Sequence, residues 1–212
     1  MKKRIFNILL AIIVIFLIGI FLSKVFSGEI IVKRYIFKFG RFELRWYSFM
    51  IVTGIVLSYI LVRRRLKIYK IDPEHLDEAL FWGIIFGILG ARIYYVIFMW
   101  KDFYSRYPSE IFKIWHGGLA IHGAIIGAIV STYFYTKLKR NCSFGFLQGL
   151  DLFTSVLPLG QALGRWGNFF NYEAYGRPTN LPWGMYVPPS SRMPGYENFA
   201  KFHPTFLYES VI

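Results

Sequence analysis

Apolar residues fill long uninterrupted stretches of this chain, and polar residues are gathered in the shorter segments between them. Five of the stretches approach the roughly 18 to 20 residues that a helix needs to cross a bilayer. They are Ile5–Leu22, Trp46–Val62, Ala79–Met99, Leu119–Tyr135 and Phe146–Leu163. A sixth begins near Phe206 and reaches the last residue, Ile212. The pattern predicts an all-α, polytopic membrane protein with about five membrane helices and a truncated sixth.

Two segments depart from this apolar pattern. Residues 28–45 alternate apolar and polar positions around Gly40, which predicts a short hairpin or an interfacial arm. Residues 177–204 hold six of the nine prolines, and proline is poorly tolerated inside helices. The stretch 164–205 is therefore expected to be an irregular outer loop or head region. Its aromatic residues favour a functional loop over a disordered one.

The basic residues are concentrated at the predicted helix ends and indicate an orientation. With the N-terminus inside, the inner segments 1–4, 63–78 and 136–145 hold 11 Lys and Arg in 30 residues, whereas the outer segments hold 13 in 81. Because basic residues gather in short cytoplasmic loops, residues 164–176 are expected to face outward. The net charge of +13 is spread over both faces, which favours attraction to anionic lipid headgroups over nucleic-acid binding.

Composition supports a membrane protein, and the first segment has two interpretations. Hydrophobic residues make up 55% of the 212 residues, more apolar surface than a soluble domain usually buries. Residues 1–27 join a basic start to a long apolar run, which fits an N-terminal membrane anchor or a cleavable signal segment. The run is longer than most signal cores, so an uncleaved anchor is favoured. A membrane-embedded domain over residues 28–212 follows it.

The most informative polar residues lie in residues 164–176, which read Gly-Arg-Trp-Gly-Asn-Phe-Phe-Asn-Tyr-Glu-Ala-Tyr-Gly. This run places the cation Arg165, the amides Asn168 and Asn171 and the carboxylate Glu173 within nine residues. A guanidinium presents a planar fork to phosphate oxygens, and Trp and Tyr favour the headgroup level of a bilayer. The run therefore predicts a site for an amphiphile with an anionic head.

Two further polar residues lie inside predicted membrane helices. Arg92 is about 12 Å from the outer end of its helix, where a buried charge is costly unless it is paired. Internal pairing or a ligand role is favoured over snorkelling to the headgroups. His122 is surrounded by glycines that let a substrate or another helix approach, so a packing role and a functional role are equally open.

The sequence shows no signature of a metal or cofactor site. Cys142 is the only cysteine and lies in a predicted inner loop that contains no histidine. The chain has no paired Cys or His spacing for zinc, no phosphate loop that ends in Lys-Ser/Thr and no Gly-x-Ser-x-Gly elbow. Neither a metal nor a cofactor is predicted.

Five ordered motifs over residues 28–212 resemble those of the bacterial prolipoprotein diacylglyceryl transferases. They are Arg45-Trp46-Tyr47, Gly90-Ala91-Arg92, the run Gly-Gly-Leu-Ala-Ile-His-Gly at 117–123, the run at 164–176, and His203-Pro204-Thr205 with Tyr208-Glu209. The Gly-Arg-x-Gly-Asn-Phe-x-Asn-x-Glu pattern is highly specific. The family ordinarily lacks a segment like Ile5–Leu22 and continues with a further helix and a second functional Arg. A C-terminally truncated fragment is therefore expected.

The resemblance implies an enzyme of lipoprotein biosynthesis. Such an enzyme transfers a diacylglyceryl group from phosphatidylglycerol to the lipobox cysteine thiol of a prolipoprotein and releases glycerol phosphate. The expected location is the bacterial cytoplasmic (inner) membrane, with several spans and with the active site on the outer, periplasmic side. The expected partners are phosphatidylglycerol, prolipoprotein signal peptides with a lipobox cysteine, and membrane lipids, with no nucleic acid and no cofactor.

The chemistry of this transfer suggests roles for the candidate residues of the five motifs. A thiol with a pKa of about 8.5 is mostly protonated at neutral pH and needs a base, for which His122 is the candidate. Arg165 is expected to bind the phosphate and to oppose the charge that builds up on the leaving group. Glu173 is expected to order Arg165 or the glycerol hydroxyls, and Gly176 to allow a tight turn. The expected substrate-binding residues are Tyr47, Arg92, Asn168, Asn171, Gly176, His203 and Glu209.

A lipid transporter or channel with an anionic-headgroup site is the alternative function. It explains the apolar helices, Arg92 and the outer motif equally well on composition alone. It predicts internal repeats and broken helices in matching positions, and neither is visible in the sequence. A purely structural membrane subunit leaves the Arg-Asn-Glu cluster unexplained.

Overall fold

The structure, a computed structural model, describes residues 2–40 and 42–211 and is mostly helical. The helices of this part of the chain are α1 (Lys2–Ser27), α2 (Trp46–Tyr69), α3 (Pro73–Phe98), α4 (Ile121–Leu138), α5 (Phe146–Thr154), α6 (Leu157–Asn171) and α7 (Thr205–Val211). The strands are β1 (Tyr35–Phe39), β2 (Phe42–Arg45), β3 (Met185–Tyr186) and β4 (Lys201–Phe202). Ile212, which ends the predicted sixth stretch, lies outside the described residues, as do Met1 and Arg41.

Three of the described helices are long and apolar enough to cross a membrane, judged by length and composition. They are α2, α3 and the part of α1 from Arg4 to Ser27. The predicted fourth segment corresponds to α4, which has 18 residues, and α7 begins where the sequence predicts the sixth. The prediction of a helical membrane protein is confirmed, whereas the number of spans stays a prediction.

The predicted fifth helix, Phe146–Leu163, is wrong as a single helix. The structure has two shorter helices instead, α5 with 9 residues and α6 with 15, separated at Ser155 and Val156. Pro158 occupies the second position of α6, where it cannot donate the backbone N–H that a continuous helix needs. Because the residues around the break are apolar, hydropathy alone does not reveal it.

The chain divides into two compact units, which are described separately. Residues 2–58 and 158–211, without Arg41, form the terminal unit, and residues 59–157 form the central unit. The predicted boundary between an anchor over residues 1–27 and a domain over residues 28–212 stays a prediction.

An apolar core rich in aromatic side chains organises the terminal unit. Phe169 of α6 stacks on Phe206 of α7 with ring centroids 4.5 Å apart, and Trp46 of α2 stacks on Phe170 at 4.7 Å. The buried members of this core are Val25, Phe169, Phe170, Tyr172, Tyr175, Met185, Val187, Phe202 and Phe206. The end of α1, the glycine-rich run, the β3–β4 pair and α7 therefore converge on one cluster.

The predicted hairpin is present, whereas the predicted irregular stretch 164–205 is wrong at its start, because residues 164–171 belong to α6. β1 and β2 pair in antiparallel orientation with Phe39 opposite Phe42, and Gly40 between them has a φ of +58°. This left-handed conformation suits glycine, which carries no Cβ. Residues 177–204, all of them described, contain no α-helix and fold around the two-residue strands β3 and β4.

Close helix packing defines the central unit. A Cβ added to Gly90 of α3 or to Gly123 of α4 would overlap the backbone of the other helix, and one added to Gly127 would overlap the Phe86 carbonyl. Small residues permit such backbone contact between membrane helices. The start of α4, which carries His122, is thereby held against α3. A separate buried cluster in this unit contains Val62, Leu66, Ile71, Tyr135, Phe144 and Leu152.

Candidate active site

The glycine-rich run forms the second half of α6 and the turn that follows it. Glu173 lies in this turn between Tyr172 and Ala174, whose φ angles are +53° and +50°. Non-glycine residues rarely adopt this left-handed conformation, and such strain is concentrated at functional sites. The backbone N–H of Glu173 donates to the Asn168 carbonyl at 3.1 Å, which closes the turn.

The side chain of Tyr172 anchors this strained turn. Its hydroxyl accepts a hydrogen bond from the backbone N–H of Val32 at 2.8 Å. Burial raises the pKa of the Tyr172 phenol, while the bond from Val32 acts in the opposite direction. The phenol therefore stays protonated at neutral pH and ties the segment before β1 to the turn.

The Glu173 carboxylate accepts hydrogen bonds from two amides of α6. Asn168 and Asn171 each donate from Nδ2 to Glu173 Oε1, at 2.9 and 3.2 Å. A separation of three residues places both amides on one face of the helix. The structure thus brings three of the predicted site residues into direct contact, and charged hydrogen bonds fix the orientation of the carboxylate.

Arg165 pairs with Glu209 of α7 and not with Glu173. The ion pair joins Arg165 Nη2 to Glu209 Oε2, and the two side chains are 28% and 36% exposed. The expectation that Glu173 orders Arg165 is therefore corrected, because a different carboxylate takes that place. Nε and Nη1 of Arg165 have no hydrogen-bond partner among the described residues.

Tyr47 lies against the same stretch of α6. It is the second residue of α2, and a Cβ added to Gly167 would lie 2.8 Å from Tyr47 Cδ2. Glycine at position 167 therefore lets the tyrosine ring approach the backbone of α6 closely, two residues beyond Arg165. The Arg-Trp-Tyr motif and the glycine-rich run are therefore in direct contact.

Gly176 permits a close approach of two segments instead of the predicted tight turn. Its N–H donates to the His203 carbonyl at 2.9 Å, and an added Cβ would lie 2.8 Å from His203 Cβ. His203 Nδ1 lies 3.2 Å from the Tyr208 hydroxyl, which accepts a hydrogen bond from Trp183 Nε1 at 2.9 Å. Trp183 was not predicted as a site residue, although its position in an aromatic, proline-rich loop was a signal.

A polar cavity of about 240 Å³ lies beside Glu173. It is lined by Arg34, Arg45, Asn171, Tyr172, Glu173 and Ser191. Arg34 donates from Nη2 to Ser191 Oγ at 2.9 Å, and its neighbour Tyr35 pairs with Arg45 across the hairpin. Two guanidinium groups and one carboxylate line the cavity, and one of these guanidinium groups, that of Arg45, also pairs with Glu43. Sequence reasoning missed Arg34 and Ser191 because neither lies in a recognisable motif.

Arg92 and His122 belong to the central unit, whereas the other eight predicted site residues lie in the terminal unit. Arg92 is buried, with 7% exposure, and its guanidinium faces backbone carbonyls. The internal pairing predicted for it describes this environment, which leaves no N–H for a substrate. His122 is exposed and stacks on Tyr94 with ring centroids 5.8 Å apart. Its ring nitrogens have no hydrogen-bond partner among the described residues.

The groups available to a ligand are cations, amides and one imidazole. In the part of the chain that the structure describes, no three His, Cys, Asp or Glu side chains are placed to hold a metal ion. Arg165 and the cavity arginines Arg34 and Arg45 belong to the terminal unit, and His122 belongs to the central unit.

Comparison with known proteins places this arrangement in a family. The model of the prolipoprotein diacylglyceryl transferase family matches residues 34–212. The chain belongs to this family. The matched range contains every predicted site residue of the prolipoprotein diacylglyceryl transferase motifs, from Tyr47 to Glu209. The family prediction made from the sequence is thereby confirmed.

Individual prolipoprotein diacylglyceryl transferases share much of the sequence. The phosphatidylglycerol–prolipoprotein diacylglyceryl transferase of Fervidobacterium nodosum is 63% identical over 209 residues, which cover 97% of this chain and 70% of that protein. Its counterpart in Thermotoga petrophila is 60% identical over 91% of this chain and 64% of its own length. The enzyme of Trichormus variabilis is 47% identical over 81% of this chain and 60% of its own length. The chain therefore spans 60% to 70% of the length of these relatives.

The segment before residue 34 is shared with at least one relative. The family match starts at residue 34, but the Fervidobacterium match covers 97% of this chain and so includes most of α1. The expectation that prolipoprotein diacylglyceryl transferases ordinarily lack such a segment stays a prediction, with this relative as an exception.

Proposed function

We propose that this protein transfers a diacylglyceryl group from phosphatidylglycerol to the lipobox cysteine thiol of prolipoproteins. The names of its relatives state phosphatidylglycerol and prolipoprotein as substrates. The observation that carries the proposal is a partly exposed Arg165 that has two unpaired guanidinium nitrogens and lies seven residues before Tyr172, where the strained turn begins. A guanidinium held in this way is a suitable partner for a lipid phosphate.

In the proposed reaction, Arg165 receives the phosphate on Nε and Nη1 while Glu209 keeps its side chain in place. The acceptor thiolate attacks the glycerol carbon that carries the phosphate ester. The new S–C bond forms as the C–O bond breaks, and glycerol phosphate leaves with the bonding electrons. Arg165 opposes the negative charge that builds up on the departing phosphate, which lowers the barrier.

His122 is the proposed acceptor of the thiol proton. A cysteine thiol is only a few per cent ionised at neutral pH, so a base increases the concentration of the reactive thiolate. His122 is exposed, and its stacking on Tyr94 engages a face of the imidazole and not its nitrogens. Asn168, Asn171 and Glu173 are proposed to orient the hydroxyls of the lipid headgroup.

We place this reaction at the outer face of the bacterial inner membrane. Three helices that are able to span a bilayer support a membrane location. The density of basic residues in 63–78 and 136–145 supports a cytoplasmic location for these two segments and an outer location for the glycine-rich run.

A lipid transporter remains the competing function, because its site would also need a cation for the headgroup. Transporters of this kind have broken helices in matching positions of two repeats. The described chain has one such interruption, between α5 and α6, and α1 to α4 are continuous. A single interruption does not favour a repeat architecture.

Release of glycerol phosphate that depends on an acceptor peptide distinguishes these functions. The full-length protein is purified in detergent and mixed with phosphatidylglycerol labelled in its headgroup and with a lipobox peptide. We expect labelled glycerol phosphate together with a peptide whose mass has risen by one diacylglyceryl group. A peptide with serine in place of the cysteine is the control and yields neither product. Movement of lipid between leaflets without release of glycerol phosphate would support the transporter.

A further inference from the structure

Arg92 is enclosed by backbone carbonyls and not by carboxylates. Nε donates to the carbonyl of Ile111 at 2.9 Å, Nη1 to those of Gly117 and Gly118 at 2.5 and 2.9 Å, and Nη2 to those of Glu110 and Lys113 at 2.5 and 3.4 Å. The ring of Tyr104 covers the guanidinium at 5.4 Å. A guanidinium has five N–H donors, and all five are used here. The side chain therefore has no donor left for a lipid phosphate.

Two glycines turn the chain toward this guanidinium. Gly117 and Gly118 have φ angles of +89° and +81°, which present successive carbonyls to the same Nη1 atom. A Cβ added to Gly118 would lie 2.6 Å from Arg92 Nη1 and 2.7 Å from Tyr95 Cε1. Residues 110–118 are thus shaped around Arg92, and only glycine at position 118 leaves room for the side chain.

The same part of α3 fixes the start of α4. The N–H of Ala120 donates to the carbonyl of Ala91 at 3.1 Å, one residue before Arg92. His122 is the second residue of α4, and its ring stacks on Tyr94 with an angle of 27° between the planes. Three neighbouring residues of α3 therefore make these contacts: Arg92 with the segment before His122, Ala91 with the backbone at the start of α4, and Tyr94 with the imidazole ring.

We propose that Arg92 is a positioning residue for His122, which it holds in place by ordering residues 110–118. This inference rests on the proposed function only in taking His122 as the base that receives the thiol proton. It assigns Arg92 a role different from the substrate-binding role expected from the sequence. Loss of this order moves the imidazole relative to the acceptor thiol and leaves the lipid site of the terminal unit chemically unchanged.

Arg92→Lys tests the proposal because it keeps the positive charge and removes the planar guanidinium group. A lysine offers three donors from one atom and cannot reach five carbonyls. In the full-length protein we expect kcat to fall about 10- to 100-fold, since small misplacements of a catalytic group cost that much. The KM for phosphatidylglycerol is expected to stay within about twofold of the wild-type value, because the substitution affects the position of His122 and not the binding of the lipid.

Gly118→Ala is the second variant, since its methyl group displaces the guanidinium without changing Arg92 itself. Hydrogen exchange of the amides in 110–122 is measured in parallel and is expected to speed up in both variants. Exchange in α6 is read in the same experiment and identifies any general unfolding. Gly83→Ala on α3, where an added Cβ meets nothing within 4 Å, and Arg106→Lys, an exposed site in the same outer segment, are the controls.

The outcomes separate this inference from the proposed function. A raised KM with an unchanged kcat in Arg92→Lys would show that Arg92 binds lipid and would overturn the inference. Exchange in 110–122 at the wild-type rate in both variants would overturn it as well. If the wild-type protein releases no glycerol phosphate, the proposed function fails. Faster exchange confined to 110–122 would then still support the ordering of this segment by Arg92.

Discussion

At the level of single residues, the two carboxylates of the terminal unit have different partners. Glu209 pairs with Arg165, and Glu173 accepts from Asn168 and Asn171. The sequence predicted that these groups share a site because four of them lie within nine residues. It did not predict the pairing, because the position of Glu173 depends on the left-handed backbone on either side of it. That conformation at two non-glycine residues has no sequence signature.

Glu173→Gln is expected to lower activity without unfolding the protein. A neutral side chain weakens the two bonds from Asn168 and Asn171, so kcat/KM for phosphatidylglycerol should fall at least about tenfold. The side chain is solvent-exposed, so the free energy of unfolding should change by less than about 1 kcal/mol. Both quantities are measured beside Glu29→Gln, an exposed carboxylate of the same unit. Equal kcat/KM values in the two variants would contradict the orienting role.

The Glu110 carboxylate makes the stability of the segment 110–118 depend on pH. Hydrogen bonds from Lys113 and, secondarily, from His116 hold the pKa of the Glu110 carboxyl below its ordinary value of 4.5. Because the folded state has the lower pKa, the carboxylate stabilises the segment fully above pH 4.5 and less as the pH falls through the folded pKa. Amide exchange in 110–118, corrected for intrinsic rates, should therefore speed up in acid. In Glu110→Gln the part of this acid-dependent exchange that comes from the carboxylate should be absent. If exchange in 110–118 had the same pH dependence in the variant and in the wild-type protein, the role of Glu110 would be refuted.

At the level of helices and strands, hydropathy predicted where apolar helices lie but not where they end. The structure agrees with the prediction within three residues at the start of α2, the end of α3 and both ends of α4. However, α3 begins six residues before Ala79, and α2 continues through Arg63 to Tyr69. The hairpin was also predicted, because Gly40 interrupts an alternating pattern. The break before α6 was not, since a proline in an apolar run changes hydrogen bonding without changing hydropathy.

The end of α1 is part of the core of the terminal unit, which predicts that this helix remains in the mature protein. Val25 is 1% exposed, and the Phe26 ring meets Phe206 edge-on at 6.2 Å. Val25→Ala should lower the free energy of unfolding in detergent by about 2 kcal/mol. Ile15→Ala is the matched control on the same helix, because Ile15 is 68% exposed and its truncation should have little effect. Equal stabilities, or a mature protein that starts after residue 27, would contradict this structural role.

At the level of the whole molecule, family membership and membrane character were predictable because the motifs have fixed order and the spans are apolar. The division into a terminal and a central unit was not. It brings residues near both ends of the chain into one unit, and no local pattern encodes the contacts of Val25 with residues after position 168. The role of Arg92 was likewise hidden, because the sequence shows a charge in an apolar helix but not the carbonyls around it.

The predicted orientation is tested with single cysteines in a Cys142→Ser background. Arg140→Cys lies in the predicted inner segment 136–145, and Glu29→Cys lies in the predicted outer segment 23–45; both positions are exposed. A membrane-impermeant maleimide added to intact cells, or to spheroplasts where an outer membrane blocks access, should label position 29 and spare position 140. Labelling of position 140 but not of position 29 would reverse the assignment of the glycine-rich run to the outer face.

The central claim is that the Arg165 guanidinium holds the phosphate of the lipid substrate, and the most direct measurement is kcat/KM for phosphatidylglycerol in Arg165→Ala. The control is Arg177→Ala, an exposed arginine of the same unit. The account predicts a loss of at least about 100-fold for Arg165→Ala, because a charge that stabilises the transition state is removed. It predicts a change of less than about twofold for Arg177→Ala. A kcat/KM in Arg165→Ala equal to that of the control would contradict the account.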